Sequence, residues 1–225
     1  MKAMARAALL VVNGAGLDFW VEKLKSAASD NMVELDTSLA LEKDGLLLSG
    51  DEHDGGTNPH YWLDPVLAQK QVEAIASALV AVDPGNKDIY LASAASYVGE
   101  LESLDEEIQD ATRAFSSREF VTFHPAWTYF AKRYGLAEAA VIEEAPGKEP
   151  TIEDLGLIID LVKDLKVKAI FAEPQFSTRW AESIAKDSGA KVLLLDPIGG
   201  PNLEGRDSYI ALMRYNVGQM AEAMK

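Results

Sequence analysis

Phe120-Val121-Thr122-Phe123-His124-Pro125-Ala126-Trp127-Thr128-Tyr129-Phe130-Ala131-Lys132-Arg133-Tyr134 is the stretch on which the fold turns. Phe120 to Phe123 is apolar or β-branched on both faces, which predicts a buried strand, and Ala126 to Tyr134 carries helical spacing. The alternation then repeats. Ala139 to Ile142 reads as a strand, and Thr151 with Asp154 resembles a capping box that opens a helix to Leu165. Lys168 to Ala172 is a strand, Thr178 to Asp187 a helix, Lys191 to Leu195 a strand, and Arg206 to Met224 the closing helix. Apolar strands alternating with helices predict an α/β arrangement with a mostly parallel sheet.

Upstream of this region Ala94, Tyr97, Leu101, Leu104, Ile108, Ala111 and Phe115 recur every three or four residues. That is one apolar stripe on a helix of roughly 30 residues, ~45 Å long. Before it, Asp64-Pro65 supplies an N-cap and a first-turn proline for a helix to about Val80. Leu9 to Val12 and Val33 to Leu35 read as strands. Asn13-Gly14-Ala15-Gly16 reads as a tight turn into a helix from Leu17 to about Ala28. It has neither of the glycine spacings that cradle phosphates. Residues 50–56 are expected to form an acidic, glycine-rich loop. The chain is therefore expected to divide into an N-terminal α/β lobe (1–84), a long linking helix (85–117) and a C-terminal α/β lobe (118–225).

The formal charge of −15 disfavours nucleic acid, whose phosphates would be repelled, and anionic lipid surfaces. The absence of cysteine excludes disulfides, thiolate metal sites and cysteine nucleophiles. The apolar run from Ala7 to Val12 is shorter than the ~7–15 residues of a signal-peptide core, so no signal peptide is expected in this chain. No run approaches the ~18 apolar residues of a membrane span.

The chain has three histidines, His53, His60 and His124. His124 follows one predicted strand at once, and Asp196, in Leu195-Asp196-Pro197-Ile198-Gly199-Gly200, follows another. Ligands of open α/β sheets bind beyond the carboxyl ends of strands, where both residues fall. His60 lies in a loop before a helix. Two imidazoles and a carboxylate suit Zn²⁺, with Mn²⁺ or Fe²⁺ as alternatives. Ordinary packing or surface roles for each histidine weigh about equally at this point. Glu173 also ends a strand and is open to two readings, a cap of the next helix or a group behind a ligand. There is no G-x-S-x-G elbow and no H-E-x-x-H.

Six stretches in order carry a resemblance. They are Val11-Val12-Asn13-Gly14-Ala15-Gly16-Leu17, Asn58-Pro59-His60-Tyr61-Trp62-Leu63-Asp64-Pro65, Phe123 to Phe130 with Arg133-Tyr134-Gly135-Leu136, Gly147-Lys148-Glu149-Pro150-Thr151, Ala172 to Ser177, and Leu195 to Gly200. Together they resemble the zinc- and manganese-binding solute-binding proteins of bacterial ABC importers, a family that includes streptococcal lipoprotein adhesins. The resemblance implies two α/β lobes joined by one long helix, with the metal in the interlobe cleft and no enzymatic activity. It implies His60, His124 and Asp196 as three metal ligands, with histidine at 124 leaning toward zinc over manganese. The implied partners are a divalent metal ion and an ABC transporter permease, for a monomer in a periplasmic or extracytoplasmic location. Relatives carry a further ligand histidine upstream of the Asn-Gly-Ala-Gly turn. The resemblance thus implies an N-terminally truncated chain lacking the first strand, helix and one ligand, with water, His53 or Glu52 filling the fourth position. The first lobe would then be less stable, with an exposed sheet edge. Asn58 stands where an aspartate is usual. The alternatives are a metal-dependent hydrolase using an open coordination position with Glu173 as base, and an adhesin-like surface protein of the same fold.

Overall fold

A computed structural model describes residues 2–25, 28–29, 31–50, 56–143 and 149–225. The chain divides into two compact units, Met1–Ser103 and Leu104–Lys225, each an α/β assembly.

In the first unit, β1 (Leu9–Val12) and β2 (Val33–Asp36) pair in parallel, with Leu9 opposite Val33 and Val12 opposite Asp36. The expected helix from Leu17 to Ala28 is instead a series of turns containing one helical turn, α1 (Glu22–Lys25). Gly14, Ala15 and Gly16 all have positive φ, and the bonds that follow are mostly i→i+3: Leu17 N to Gly14 O, Val21 N to Asp18 O, Leu24 N to Val21 O. These short-range bonds use the amides that a regular helix would direct four residues back. A short helix α2 (Ser38–Lys43), not expected from the pattern, leads to an isolated bridge between Ser49 and Thr57. Then α3 (Pro65–Val82) starts as the sequence implies, with Pro65 in its first turn and the Asp64 carboxylate accepting from Val66 N at 2.8 Å.

The long helix α4 (Lys87–Arg113) follows. Of its stripe, Leu101, Leu104 and Ile108 are fully buried, while Ala94 and Tyr97 are half-buried.

The second unit is a four-stranded parallel sheet in the order β4-β3-β5-β6. Its strands are β3 (Glu119–Thr122), β4 (Ala137–Val141), β5 (Ala169–Ala172) and β6 (Lys191–Leu194). The helices are α5 (Thr128–Tyr134), α6 (Ile152–Asp164), α7 (Arg179–Ser188) and α8 (Tyr209–Met224). The Thr151–Asp154 capping box is present in both directions: Asp154 N donates to Thr151 Oγ1 at 3.1 Å, and Thr151 N to Asp154 Oδ2 at 2.9 Å. Val121, Ile170 and Ala172 pack with Ile158, Val162, Ala181 and Ile184 of α6 and α7. The alternate residues Phe120 and Phe171 project from the opposite face and meet edge to face, with ring centroids 5.9 Å apart. The sheet fills in two directions from β3, to β4 on one side and to β5 and β6 on the other. Its topological switch point therefore lies between the carboxyl ends of β3 and β5.

The closing helix starts later than its periodicity suggests. Ser208 accepts from Ala211 N at 3.4 Å and caps α8, so Arg206 stands in the preceding loop. Among the described residues no helix is long and apolar enough to cross a membrane.

Candidate metal centre

Each unit places candidate ligands at the carboxyl edge of its sheet. In the first unit the His60 loop is fastened to the ends of β1 and β2. Asn13 Nδ2 donates to Pro59 O at 3.0 Å, and the buried Tyr61 hydroxyl donates to Asn13 O. The same hydroxyl lies 2.9 Å from Thr37 Oγ1, which donates to Val12 O at 3.1 Å. Burial pushes the Tyr61 phenol up to about 12, against the neighbouring Thr37 hydroxyl that lowers it, so the phenol remains a donor at neutral pH. The Asn13–Gly16 turn is a structural turn and not an anion cradle. Gly14 N donates to Asp18 Oδ2 at 2.8 Å and Ala15 N to Ser38 Oγ at 3.1 Å. A Cβ on Gly14 would meet Asp36 Oδ1 at 1.8 Å, which explains the glycine.

His60 itself is aimed by Asn58. The Asn58 Oδ1 accepts from His60 N at 3.0 Å and lies 2.9 Å from His60 Nδ1. A carbonyl oxygen can only accept, so Nδ1 carries the proton and Nε2 the lone pair. This is the arrangement that a metal-binding imidazole needs.

The second unit repeats it with a carboxylate. Thr122 of β3 is level with Phe171 of β5, so two residues on, His124 and Glu173 stand at equal height beyond the strand ends. There His124 Nδ1 pairs with Glu173 Oε1. Glu173 is therefore not a helix cap; the residue preceding α7 is Thr178. Its Oε2 is buried without a hydrogen-bond partner among the described residues. Phe176 stacks on Phe123 with ring centroids 4.7 Å apart and meets the His124 ring edge-on at 5.8 Å, which fixes the plane of the imidazole.

Asp196 follows β6 and is fully buried. Its backbone is clamped by Asn216 of α8: Asp196 N donates to Asn216 Oδ1 at 2.8 Å, and Asn216 Nδ2 to Asp196 O at 2.8 Å. Its Oδ1 accepts from Gly199 N (2.9 Å), Ile198 N (3.1 Å) and Gln175 Nε2 (3.1 Å), and its Oδ2 from Arg206 Nη1 (2.8 Å). Burial alone would raise the carboxyl. The Gly199 and Ile198 amides, Gln175 and the Arg206 charge outweigh it and hold Asp196 below the usual carboxylate range. Asp196 is therefore ionised at neutral pH. The β5–α7 loop brackets both ligands of this unit, through Glu173 on His124 and Gln175 on Asp196.

His53, and Glu52 beside it, lie outside the described residues, as does Gly147-Lys148 of the fourth matching stretch. Among the described residues no three His, Cys, Asp or Glu side chains are grouped closely enough to hold a metal ion. The structure brings His124 together with Glu173, and Gln175 and Arg206 together with Asp196; His60 belongs to the other unit with Asn58. Gln175, Asn216 and Arg206 were not singled out by sequence reasoning. Asn58 offered one signal, the asparagine two residues before His60, a spacing at which such side chains bond back onto the chain.

Comparison with known proteins shows the family to which the chain belongs. The family model for the periplasmic component A of zinc-uptake complexes, ZnuA, matches residues 1–223. The chain is 31% identical over 232 residues to the high-affinity zinc uptake system protein ZnuA of Bacillus subtilis, covering 96% of this chain and 72% of that protein. It is also 31% identical over 222 residues to the manganese-binding lipoprotein MntA of Halalkalibacterium halodurans, covering 96% and 71%. Among solved structures, the laminin-binding protein of Streptococcus agalactiae, described as bifunctional with adhesin and metal-transporting activity, superposes with a TM-score of 0.84. It has 33% identity and covers 100% of this chain and 83% of that one.

Proposed function

The chain belongs to the ZnuA family of periplasmic zinc-uptake components, and on that premise we propose that it captures one zinc ion through His60, His124 and Asp196. The family consists of metal-binding receptors of ABC importers and not of enzymes, and the protein binds a divalent transition metal for delivery to a transporter permease. Metal transport is also the activity that the laminin-binding relative shares with these receptors.

The observation that carries the site is the matched treatment of the two imidazoles. His60 turns its Nδ1–H to Asn58 and His124 turns its own to Glu173, so in the neutral form of each imidazole Nε2 is the nitrogen with which we propose it binds the metal. Asp196, held ionised, adds a carboxylate. Two imidazole nitrogens with one carboxylate oxygen form a donor set that favours zinc over the harder, oxygen-preferring manganese. We propose His53 as the fourth ligand, with water or Glu52 as alternatives, and we place the protein outside the cytoplasm as a monomer. The hydrolase alternative loses its base, because Glu173 is engaged with His124.

The test is a competitive titration of the metal-stripped chain against a chromophoric chelator, with manganese alongside. One-to-one binding with zinc the tighter ion supports the assignment. Tighter manganese would overturn the zinc reading, and the absence of binding would overturn the site. His53→Ala should weaken zinc if His53 is the fourth ligand and leave it unchanged if water is.

A further inference from the structure

Asp196 Oδ1 already accepts three hydrogen bonds, from Gly199 N, Ile198 N and Gln175 Nε2. Its lone pairs are committed to donors that are themselves parts of the loop and sheet edge. Oδ2 is the oxygen left to coordinate a cation, and its partner in the structure is Arg206 Nη1 at 2.8 Å. Asp196 is 1% exposed at its side chain and Arg206 20%, so the pair is largely shielded from water and its attraction is little screened.

We propose that Arg206 is an internal counter-cation that occupies the coordinating oxygen of Asp196 and must leave it when metal binds, so that it sets the affinity of the site. The inference rests on the assignment of Asp196 as a ligand. The guanidinium is placed to leave. Its Nε is buried with no hydrogen-bond partner among the described residues, an unfavourable environment from which release would free it. It already sits over the Tyr215 ring with its central carbon 5.0 Å from the centroid, a cation–π contact that does not depend on Oδ2 and can continue to hold the charge once Oδ2 is taken. Its backbone belongs to a loop that closes on itself, with Gly200 N donating to Arg206 O at 3.0 Å and Arg206 N to Leu203 O at 2.9 Å. The side chain can therefore swing while the loop that holds Gly199 N against Oδ1 stays in place. Gly199, at φ +66°, is what permits this closure, since a Cβ there would meet Arg206 O at 2.5 Å.

The exchange is thermodynamically a competition. Whatever the Arg206–Asp196 pair contributes in the metal-free protein is subtracted from metal binding, and a divalent ion beside a retained guanidinium adds repulsion. Removing the charge should therefore tighten metal binding, opposite in sign to the loss expected if Arg206 merely positioned Asp196.

The test uses the full chain with zinc alone as probe. Arg206→Gln should bind zinc about ten- to a hundredfold more tightly than the parent, the range of one charge-assisted hydrogen bond in a shielded site. Arg206→Lys, which keeps a cation there, should gain less. In an Asp196→Asn background the Arg206→Gln gain should vanish. The Arg206 Nε–H resonance of the parent should shift on zinc addition in nitrogen-edited NMR, a readout independent of any variant's folding. Unchanged or weaker zinc binding by Arg206→Gln, or an unmoved Arg206 resonance at zinc saturation, overturns the proposal. If His124→Ala also left zinc affinity unchanged, the site assignment itself would fail; if His124→Ala weakened zinc, the failure would belong to the Arg206 inference alone.

Discussion

Replacing Glu173 should separate stability from metal affinity. Glu173 is 2% exposed, with Oε1 on His124 Nδ1 and Oε2 buried without a partner among the described residues. An unsatisfied buried oxygen costs about 1–3 kcal/mol, more when it carries charge. The residue is therefore a liability to the metal-free fold, tolerated for what it does to His124. Glu173→Gln keeps an acceptor for the Nδ1 proton and removes the buried charge. The metal-free protein should melt at the same temperature or a few degrees higher. Zinc affinity should fall about tenfold, because a neutral acceptor makes the opposite nitrogen a weaker donor. Glu173→Ala removes the acceptor as well, frees the ring to rotate against Phe176, and should cost about a hundredfold. The assay is chelator competition on each variant, with melting curves of the metal-free forms beside it. If both variants bound zinc as tightly as the parent, His124 would not depend on Glu173, and the argument from ring anchoring would be refuted. If Glu173→Gln lowered both stability and affinity, the carboxylate would be structural.

Further outcomes follow from the packing. Asp105 holds Arg133 by two bonds, 2.7 Å to Nε and 2.5 Å to an Nη, and accepts from the Tyr134 hydroxyl at 2.8 Å. Burial would raise its carboxyl, but Arg133 and Tyr134 prevail and lower it. The folded value thus lies below the unfolded one, so its contribution is complete above the unfolded value and disappears as pH falls through the folded one. Asp105→Asn should cost about 2 kcal/mol in urea unfolding at pH 7, with the gap to the parent closing below about pH 4. Leu104→Ala, at a fully buried position of α4, should destabilise by about 2–5 kcal/mol in the same assay. Thr151→Ala, which removes the capping box of α6, should cost about 1 kcal/mol. In hydrogen exchange, the amides of the two-stranded β1–β2 sheet should exchange well before those of β3 and β5. Phe19 and Trp20 stay exposed in that unit, so Phe19→Ser should raise solubility without changing zinc affinity; a loss of affinity would contradict it.

What could be read from residue order alone was whatever depends on near neighbours or on one period. Asp64-Pro65 announced the start of α3 because a cap and a first-turn proline act within one turn. The central strands β3 and β5 were legible because both of their faces are buried, and the apolar run of β6 was legible although it is only half-buried; the strand ends placed His124 and Asp196 at the sheet edge. The same reasoning overran where periodicity continued past a local stop. Arg206 fits the helical register of α8, but the Ser208 cap leaves it in a loop where its charge reaches back ten residues to Asp196. Glu173 meets His124 across 49 positions, and Asn216 clamps Asp196 across 20. No local pattern encodes pairings that arise from strand order and helix docking. The turn after β1 misled for another reason: three consecutive residues with positive φ convert an apolar run with helical spacing into turns.

The most direct test of the account is zinc-edge X-ray absorption on the protein loaded with one equivalent of metal. The bound zinc should be coordinated by at least two imidazole nitrogens at about 2.0 Å together with carboxylate oxygen. One of those imidazoles should be lost in His60→Ala and one in His124→Ala. A shell of oxygens alone, or one that either substitution leaves unchanged, would contradict it.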